Sequence, residues 1–436
     1  MGKIRESLVG PEDLMTGAAV DAASESGDRD LTNSTPTGWP LLRFSRRAMA
    51  SDFEISFNRG QYPQAAEAAL AALDEVERLE SVLSAFQSES EISRINRDAA
   101  RQALATSSEV WNLLKRCQQL AQETDGAVDM TASTLWRLWG FAKREGKVPS
   151  QEEIAAALQN VGQRFVLLDD LCHQRDPAET CGVRSAACGV EDKNNSGLPT
   201  AQSVRFTKPG VEISLGCIGK GAALDSAAGK LRDLEIEHAL LHGGRSSILA
   251  IGGRMQERWS QSAQQRFPPH VSGTLLEPTR DRSVGWTVGI SHPIRPGPCA
   301  GGTSRRIAEV RLAGMNGAGG TEALGTSGSQ HQFFIHQGKR YSHIIDPRSD
   351  KPAEGLLLAT VIAPTAALAD ALSTAFYVLQ PEQTAEYCRR HPGVAALLVL
   401  PGESPFDNVI SHDCRILHFG FEQNQIRFFC QTRNGV

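Results

Sequence analysis

Apolar and polar residues follow two different periodicities in the first part of the chain. Phe53, Ile55 and Phe57 alternate with polar residues, and this pattern is typical of a half-buried strand. An amphipathic helix is then predicted by apolar residues at three- and four-residue steps, namely Leu70, Leu73, Val76, Leu79, Leu83 and Phe86. A second helix is predicted over about residues 108–123, where candidate N-caps precede an apolar stripe and TDG ends it.

The second half of the chain alternates apolar runs with glycine-containing turns. Strands are predicted at 238–242, 247–252, 287–291, 308–314, 332–336, 357–363 and 394–400. Residues 367–379 and the stretch after Pro381 have helical patterns. This mixture predicts an α+β fold with a mixed, largely antiparallel sheet and packed helices.

Three polar stretches show neither periodicity. Residues 1–45 are rich in Ser, Thr, Asp and Gly, so we expect a disordered N-terminal segment. Residues 171–203 and 253–283 lie between well-patterned pieces, and we expect them to be polar insertions at the surface. The predicted organisation is therefore a disordered segment followed by one domain, 46–436, that carries both insertions.

Composition excludes some classes of function. There are 45 basic and 50 acidic side chains, which give a net charge of -5, and no basic block stands out, so we expect no nucleic-acid partner. No apolar run is long enough to span a membrane. The nine cysteines lack the spacing of a disulfide framework and no export signal is visible, so we expect a cytoplasmic protein.

A carboxylate and an alcohol lie four residues apart in the sequence ADALST. On a helix this spacing puts Asp370 and Thr374 on one face. Two hard oxygen ligands suit Mg²⁺, which keeps other positions for water and phosphate. The alternative is a solvated aspartate beside a threonine that bonds to its own helix, although an aspartate in so apolar a helix needs a partner.

Two glycine-rich turns could approach a ligand closely. SLGCIGKG, at 214–221, leads into a helix that starts near Lys220, and a helix N-terminus with a lysine suits a phosphate. Its spacing is not that of a Walker A loop, and an ordinary turn is the alternative. HGGRSS, at 242–247, pairs Gly243 with Gly244, which could approach a flat ligand or simply close a hairpin.

Two further stretches carry candidate polar groups. Ser327, in TSG at 326–328, either binds a ligand or closes a turn. In HIIDPRSDKP, at 343–352, His343 is a candidate proton acceptor because histidine titrates near neutral pH. Asp346 precedes a proline, which favours an extended or turn geometry, and an Asx turn is the alternative.

Taken in order from Met49 to about Leu400, these stretches resemble the ApbE family of flavin transferases. The series also includes MASD at 49–52, LSAFQSESEISRIN at 83–96 and GAVDMTASTLWRLWGF at 126–141. The resemblance implies an ApbE-like, T-fold-related fold and the Mg²⁺-dependent transfer of FMN from FAD to a threonine of an acceptor protein, with release of AMP. The threonine would lie in a flavinylation motif of that partner. Two alternatives stay open: an FAD pyrophosphatase, and an FAD-binding protein without activity.

The resemblance also implies roles for individual residues. His343 matches the proposed base for the acceptor hydroxyl. The implied metal ligands are Asp370, Ser373, Thr374 and the main-chain carbonyl of Cys217. The implied FAD contacts are Met49, Phe86, Ala127, Val128, Asp129, Ser214, Lys220, Gly243, Gly244, Ser327, His343, Ile345 and Asp346.

Some positions depart from the family's pattern. Ser214 stands where an aspartate is usual, and Asp350 replaces a glycine. These departures keep the binding-only alternative open. Family members often work outside the cytoplasm, so a periplasmic location is the alternative to the cytoplasmic one.

Overall fold

The computed structural model describes ten stretches of the chain: residues 5–9, 15–16, 40–170, 202–244, 246–255, 283–293, 306–312, 320–329, 332–402 and 414–429. They fold into two compact units, one of Met1–Glu80 with Gly216–Val436 and one of Ser81–Leu215. The predicted domain 46–436 is therefore built of two units. Of the predicted insertions, residues 171–201 and 256–282 lie outside the described residues.

The described residues form helices and strands that we number in chain order. The helices are α1 Ala65–Leu83, α2 Glu91–Asp98, α3 Ser108–Glu123, α4 Ser133–Leu138, α5 Gln151–Leu158, α6 Gly219–Asp233 and α7 Ala366–Arg390, with a 3₁₀ turn at Gln163–Phe165. The strands are β1 Arg5–Val9, β2 Met15–Thr16, β3 Leu41–Ala48, β4 Ser51–Asn58, β5 Leu104–Ala105, β6 Val166–Asp170, β7 Gln202–Phe206, β8 Ala239–Gly243, β9 Ser247–Ile251, β10 Arg254–Met255, β11 Ser283–Val284, β12 Trp286–Ser291, β13 Arg306–Leu312, β14 Thr321–Gly328, β15 Phe333–His336, β16 Lys339–Ser342, β17 Ile345–Asp346, β18 Lys351–Pro352, β19 Leu358–Ala363, β20 Ala395–Pro401, β21 Cys414–Phe419 and β22 Ile426–Phe428.

The first unit is built on a nine-stranded sheet in the order β1-β3-β4-β8-β9-β14-β19-β20-β21. All its neighbouring strands are antiparallel, which confirms the predicted α+β class. A second sheet, β2-β12-β13-β22, shares a core with it, in which Trp286 and Val310 pack against Ile248. Because side chains alternate along a strand, Ser247 points to the opposite face from Ile248, where α6 and α7 pack.

The folded region begins earlier than predicted. Residues 41–45, placed in the disordered segment by the sequence pattern, belong to β3, which pairs with β4 along its whole length. Phe44 and Phe57 of this pair meet edge to face with ring centroids 6.2 Å apart. The strands β1 and β2 also lie in that segment.

The first predicted helix is confirmed, but its end was placed too late. Helix α1 stops at Leu83, and the Oγ of Ser84 then accepts the N–H groups of Phe86 (3.1 Å) and Gln87 (3.2 Å). This side-chain bond to the backbone competes with the helical pattern. Phe86 therefore does not continue the apolar stripe, and 82% of its surface is exposed.

Helix α7 contains both predicted helical stretches. Thr365 caps its start by accepting the N–H of Leu368. The helical conformation is interrupted at Gln380, whose φ is 71°, immediately before Pro381. Proline disfavours the helical region for the residue before it, and a second helical segment starts at the proline.

The second unit combines α2 to α5 with a small sheet in the order β5-β7-β6. Helix α3 covers the predicted residues, and among the predicted caps Ser107 accepts the N–H of Val110. Among the described helices of the whole chain, none combines the length and the hydropathy needed to cross a membrane.

Candidate active site

Asp370 is a buried carboxylate near the start of α7. It is 4% exposed, and its Oδ1 accepts a hydrogen bond from Ser247 Oγ at 2.9 Å. Its Oδ2 accepts the N–H of Gly221 at 3.2 Å, and the Nζ of Lys220 lies 3.5 Å from Oδ1. These three partners provide the compensation that a buried charge requires. The sequence predicted that Asp370 needs a partner, and the structure supplies it from α6 and β9.

Gly221 is the reason why α6 can approach α7 closely enough for these bonds. A Cβ atom at this position would lie 2.1 Å from the carbonyl oxygen of Ala366. No side chain fits there without moving one of the helices. Gly221, the last glycine of the sequence SLGCIGKG, is thus required for the contact between α6 and α7. It places the first turn of α6 against Asp370.

A half-buried carboxylate, Asp225 of α6, caps the start of α7. Its Oδ1 accepts the N–H of Ala366 at 2.8 Å and its Oδ2 accepts the N–H of Ala367 at 2.9 Å. Burial raises the pKa of Asp225 to about 6, although the two N–H groups oppose this rise. The negative charge of Asp370 adds to it. The first turn of α7 is therefore held against α6 by the side chain of Asp225.

Three hydroxyl groups meet beside Asp370. Ser327 Oγ lies 2.8 Å from Ser373 Oγ and 3.2 Å from Thr374 Oγ1. Ser373 donates its proton to the main-chain carbonyl of Asp370 at 2.8 Å, so it accepts from Ser327. Ser327 in turn accepts from Thr374, because a hydroxyl has one proton. This order leaves the lone pairs of Thr374 Oγ1 available to a cation.

This set of donors fits Mg²⁺ better than a softer metal. It consists of oxygen atoms, with one carboxylate and several hydroxyls, and Mg²⁺ takes oxygen ligands and retains water. Within the stretches that the structure describes, no group of three or more His, Cys, Asp or Glu residues could hold a metal ion. One carboxylate is a small charge for a divalent ion, so phosphate oxygens would have to complete the shell. Cys217, whose carbonyl is an implied ligand, lies two residues before the start of α6 at Gly219.

Two tight turns join neighbouring strands of the nine-stranded sheet, β3 to β4 and β8 to β9. Met49 and Ala50 form the two-residue turn between β3 and β4 with φ values of 50° and 57°. Such a turn favours glycine and asparagine, so two other residues here store strain of order 1 kcal/mol each. The N–H of Gly244 donates to the carbonyl of Asp52 at 3.0 Å.

The second of these turns is the predicted glycine pair. Gly243 pairs with Ser247 across the hairpin of β8 and β9. A Cβ atom on Gly244, whose φ is 62°, would lie 2.6 Å from Ser51 Oγ and 4.0 Å from the Cδ of Lys220. Gly244 thus lies close both to Ser51, which follows the turn at Met49 and Ala50, and to the side chain of Lys220.

His343 has a defined tautomer at the end of the β15–β16 hairpin. Its Nδ1 lies 3.0 Å from the carbonyl oxygen of Gln332, which also accepts the main-chain N–H of His343 at 3.2 Å. Because a carbonyl oxygen only accepts, Nδ1 carries the proton of the neutral ring and Nε2 carries the lone pair. The orientation suits a proton acceptor at Nε2.

The residues after His343 form a compact turn. Asp346 accepts from the N–H of Arg348 (3.0 Å), from its Nε (2.9 Å) and from its Nη2 (3.0 Å), so the Asx turn expected as the alternative is present. Ile345 is buried and pairs with Pro352. Asp350 has a φ of 60°, a left-handed conformation that aspartate tolerates, so its replacement of a glycine keeps the turn.

The other predicted site residues belong to the second unit: Phe86, Ala127, Val128, Asp129 and Ser214. Ala127 and Val128 are 1% and 3% exposed, so a ligand would reach their main chain rather than their side chains. Ser214 donates its main-chain N–H to the carbonyl of Met130 at 2.8 Å. The exposed ring of Phe86 is the large apolar surface among these positions.

Asp129 is a half-buried carboxylate with local partners. Its Oδ1 accepts from the N–H (2.7 Å) and the hydroxyl (2.6 Å) of Thr131 and from Gln163 Nε2 (3.1 Å). Burial raises the pKa of Asp129, against the effect of these bonds. It lines a cavity of about 420 Å³ within the second unit, together with Gln118, Ala121, Gln122, Gly126, Gly162, Gln163 and Arg164.

Three contributors to the site were not predicted as such: Ser247, Gly221 and Asp225. One of them, Asp225, carried a usable signal. Asp225 lies in the apolar stretch GAALDSAA, so the argument that Asp370 needs a partner applies to it equally. Ser247 ends the sequence HGGRSS, but only the order of the strands shows that it faces α7.

Known proteins of one family are similar to this chain. A family model described as the ApbE family matches residues 49–398. The FAD:protein FMN transferase of Escherichia coli (strain K12) is 26% identical over 328 residues, which cover 74% of each chain. That of Treponema pallidum (strain Nichols) is 27% identical over 339 residues, 76% of this chain and 77% of the relative.

Solved structures are similar over most of their length. The ApbE protein from Thermotoga maritima is 26% identical with a TM-score of 0.61, covering 83% of this chain and 94% of that one. The apo form of the flavinyl transferase ApbE from Pseudomonas stutzeri is 23% identical with a TM-score of 0.62, covering 87% and 94%. The second similarity bears on the fold alone.

Proposed function

The chain belongs to the ApbE family, and from that premise we propose that it is an FAD:protein FMN transferase that requires Mg²⁺. Its substrates would be FAD and an acceptor protein that presents a threonine in a flavinylation motif. The products would be AMP and a protein that carries FMN through a phosphoester bond.

The observation that carries the proposal is the position of Asp370. Its buried carboxylate contacts the first turn of α6, at the N–H of Gly221 and the ammonium of Lys220. A diphosphate needs positive charge and N–H donors, which Lys220 and a helix N-terminus supply. A divalent cation needs anionic oxygen, which Asp370 supplies beside Thr374. The groups that would bind the diphosphate and those that would bind the cation are therefore close neighbours.

Each of these residues has a defined task in the proposed reaction. Asp370, the hydroxyls of Ser373 and Thr374 and the carbonyl of Cys217 would hold Mg²⁺. When bound, Mg²⁺ would neutralise charge on the phosphate oxygens and on the leaving group. Lys220 would bind the diphosphate in exchange for its contact with Asp370. The strained turn at Met49 and the paired glycines would approach the flavin nucleotide with their main chain.

His343 would act as the general base for the acceptor. Its Nε2 takes the proton of the threonine hydroxyl, while the threonine oxygen forms a bond to the phosphorus atom on the FMN side. The bond between that phosphorus and the bridging oxygen breaks, and AMP leaves with the electron pair. The carbonyl of Gln332 keeps the proton on Nδ1 and so keeps the accepting lone pair on Nε2.

The proposal is tested by incubating the purified protein with FAD, Mg²⁺ and an acceptor peptide. We expect AMP, measured by chromatography, and FMN-modified peptide, measured by mass spectrometry, in equal amounts. Chelation of Mg²⁺ or the substitution Asp370→Asn should lower both by at least about a hundredfold. Asp233→Asn, at an exposed position at the end of the neighbouring helix α6, is the matched control and should leave both unchanged.

The remaining outcomes identify the alternatives. AMP and free FMN without peptide, lost in Asp370→Asn, would make the protein an FAD pyrophosphatase. Tight binding of FAD without AMP under any condition would make it a binding protein. His343→Gln separates the roles further: we expect transfer to fall by about 10² to 10⁴ while the affinity for FAD is retained.

A further inference from the structure

Tyr377 is a buried tyrosine on α7 whose hydroxyl group serves no function in the mechanism above. It follows Thr374 by three residues and Ser373 by four, so it lies on the same side of the helix as these two. Its side chain is 1% exposed. Burial raises the pKa of its hydroxyl, so it stays protonated over the working range of pH.

The hydroxyl of Tyr377 is hydrogen-bonded to the side chains of Ser329 and Ser342. Both serines are buried, at 7% and 6% exposure. Ser342 Oγ also accepts the N–H of Ile344 at 3.1 Å. Because Ser342 and Ile344 are the two neighbours of His343, this chain of bonds runs from α7 to both sides of the candidate base.

Ser329 connects the same tyrosine to the hairpin from another direction. It follows β14, and its main-chain carbonyl accepts a hydrogen bond from Arg340 Nη2. The guanidinium group of Arg340 stacks on the ring of Phe333, 3.8 Å from its centroid. Arg340 and Phe333 belong to β16 and β15, so the hairpin is tied at its base to the end of β14.

The hairpin needs such anchors because it pairs with no other described strand. β15 and β16 form a sheet of two strands. Phe333 and Ile335 are 42% and 66% exposed, so little apolar burial holds the hairpin in place. A two-stranded hairpin is marginally stable by itself. The bond of His343 to Gln332 fixes the ring within the hairpin, but it does not fix the hairpin relative to α7.

We propose that Tyr377 is a positioning residue, whose hydroxyl sets His343 at its distance from the hydroxyls and carboxylate of α7 through Ser342 and Ser329. This inference rests on the proposed function, in which His343 accepts the proton of the acceptor threonine. The tyrosine acts through His343 and touches neither substrate. A misplacement of about 1 Å in such a group can cost about a hundredfold in rate.

The test is Tyr377→Phe, which removes the hydroxyl and keeps the ring. We expect kcat for transfer to the acceptor peptide to fall about tenfold or more, with KM for FAD changed less than about twofold, because only the base is displaced. Tyr387→Phe is the matched control: Tyr387 is 2% exposed on the same helix and should leave kcat unchanged. Ser342→Ala removes the hydroxyl at the other end of the bond and should also lower kcat while leaving KM for FAD nearly unchanged. This second variant tests the proposal even if Tyr377→Phe does not fold.

Two further measurements separate positioning from general weakening. In a His343→Gln background, Tyr377→Phe should cost nothing more, because the residue it acts through is gone. An equal loss of kcat in both backgrounds, or a loss in KM alone, would overturn the proposal. Hydrogen exchange of the amides at 332–344 gives a readout without activity, and Tyr377→Phe should accelerate it. If the wild-type protein releases no AMP, the proposed function fails while this exchange still decides the structural claim; unchanged exchange would refute it.

Discussion

The ammonium group of Lys220, on α6, lies 3.5 Å from the carboxylate of Asp370, on α7. The lysine side chain is 25% exposed and that of the aspartate 6%. The sequence assigned these residues to separate tasks, one to phosphate and one to metal. In the structure they are partners, so a diphosphate and a cation that bind here would each replace one half of this ion pair.

Replacing Lys220 should therefore weaken the binding of FAD. For Lys220→Met we expect the Kd for FAD to rise about tenfold, since a hydrogen bond to a charged group contributes about 1.5 to 3 kcal/mol. Titration of flavin fluorescence measures it. Lys230→Met, at an exposed position of the same helix, is the control. Equal Kd values for both variants would remove Lys220 from the diphosphate site.

Phe86 should contribute to ligand binding without contributing to stability. Its ring is 82% exposed, so Phe86→Ala should change the free energy of unfolding by less than about 0.5 kcal/mol. If the ring stacks on FAD, its loss should raise the Kd by about three- to tenfold, because an aromatic pair contributes about 0.5 to 1.5 kcal/mol. Phe86→Trp should preserve binding. An unchanged Kd for Phe86→Ala would exclude the ring as a contact.

Alanine substitutions at two glycines of α6 should change the free energy of unfolding in opposite directions. A Cβ atom at Gly221 would lie 2.1 Å from the carbonyl of Ala366, whereas one at Gly229 meets nothing within 4 Å. We expect Gly221→Ala to lower the free energy of unfolding by about 1 to 3 kcal/mol through overpacking, and to weaken FAD binding by moving Lys220. Gly229→Ala should raise the free energy of unfolding by about 0.5 to 1 kcal/mol. Urea denaturation measures both, and equal shifts would contradict the close helix contact.

The ion pair of Glu75 should make stability depend on acid. Hydrogen bonds from Arg78, and then from Ser226, lower the pKa of Glu75 to about 2, although burial opposes this. The ordinary pKa is 4.5, so between about pH 4.5 and 2 the unfolded chain binds a proton that the folded chain does not. The stabilisation is thus complete above pH 4.5 and is lost as the pH falls towards 2.

Glu75→Gln removes this contribution. At neutral pH we expect the variant to be less stable by about 1 kcal/mol, a value reduced for screening by solvent. The difference in Tm from the wild-type protein should be constant above about pH 5 and should shrink below it. A difference that persists unchanged at pH 3 would mean that the lost packing, and not the charge, is responsible.

Much of the fold followed from local pattern. The hairpin of HGGRSS, helix α3 with its cap at Ser107, the start of α6 and both parts of α7 were all predictable, because their signals span ten to twenty neighbouring residues. The end of α1 was not, because the bond from Ser84 to the backbone competed with an apolar stripe that reached Phe86. The strand at 41–45 was also missed, although it contains Leu41, Leu42 and Phe44, because this short stretch directly follows the polar segment.

The sequence by itself determined which chemical groups are present and the local frame of each: a carboxylate and an alcohol one helical turn apart, a lysine at a helix start, and a histidine in a hairpin. Only the tertiary structure decided which of these groups are in contact. The strand order brings Ser247 into contact with Asp370, Gly221 lets Lys220 reach it, and Tyr377 connects α7 to Ser342, the neighbour of His343. Local hydrogen bonds join residues a few positions apart, so the periodicity of the sequence predicts them. Contacts between distant segments depend on how whole helices and strands pack. The residue types at single positions do not predict that packing.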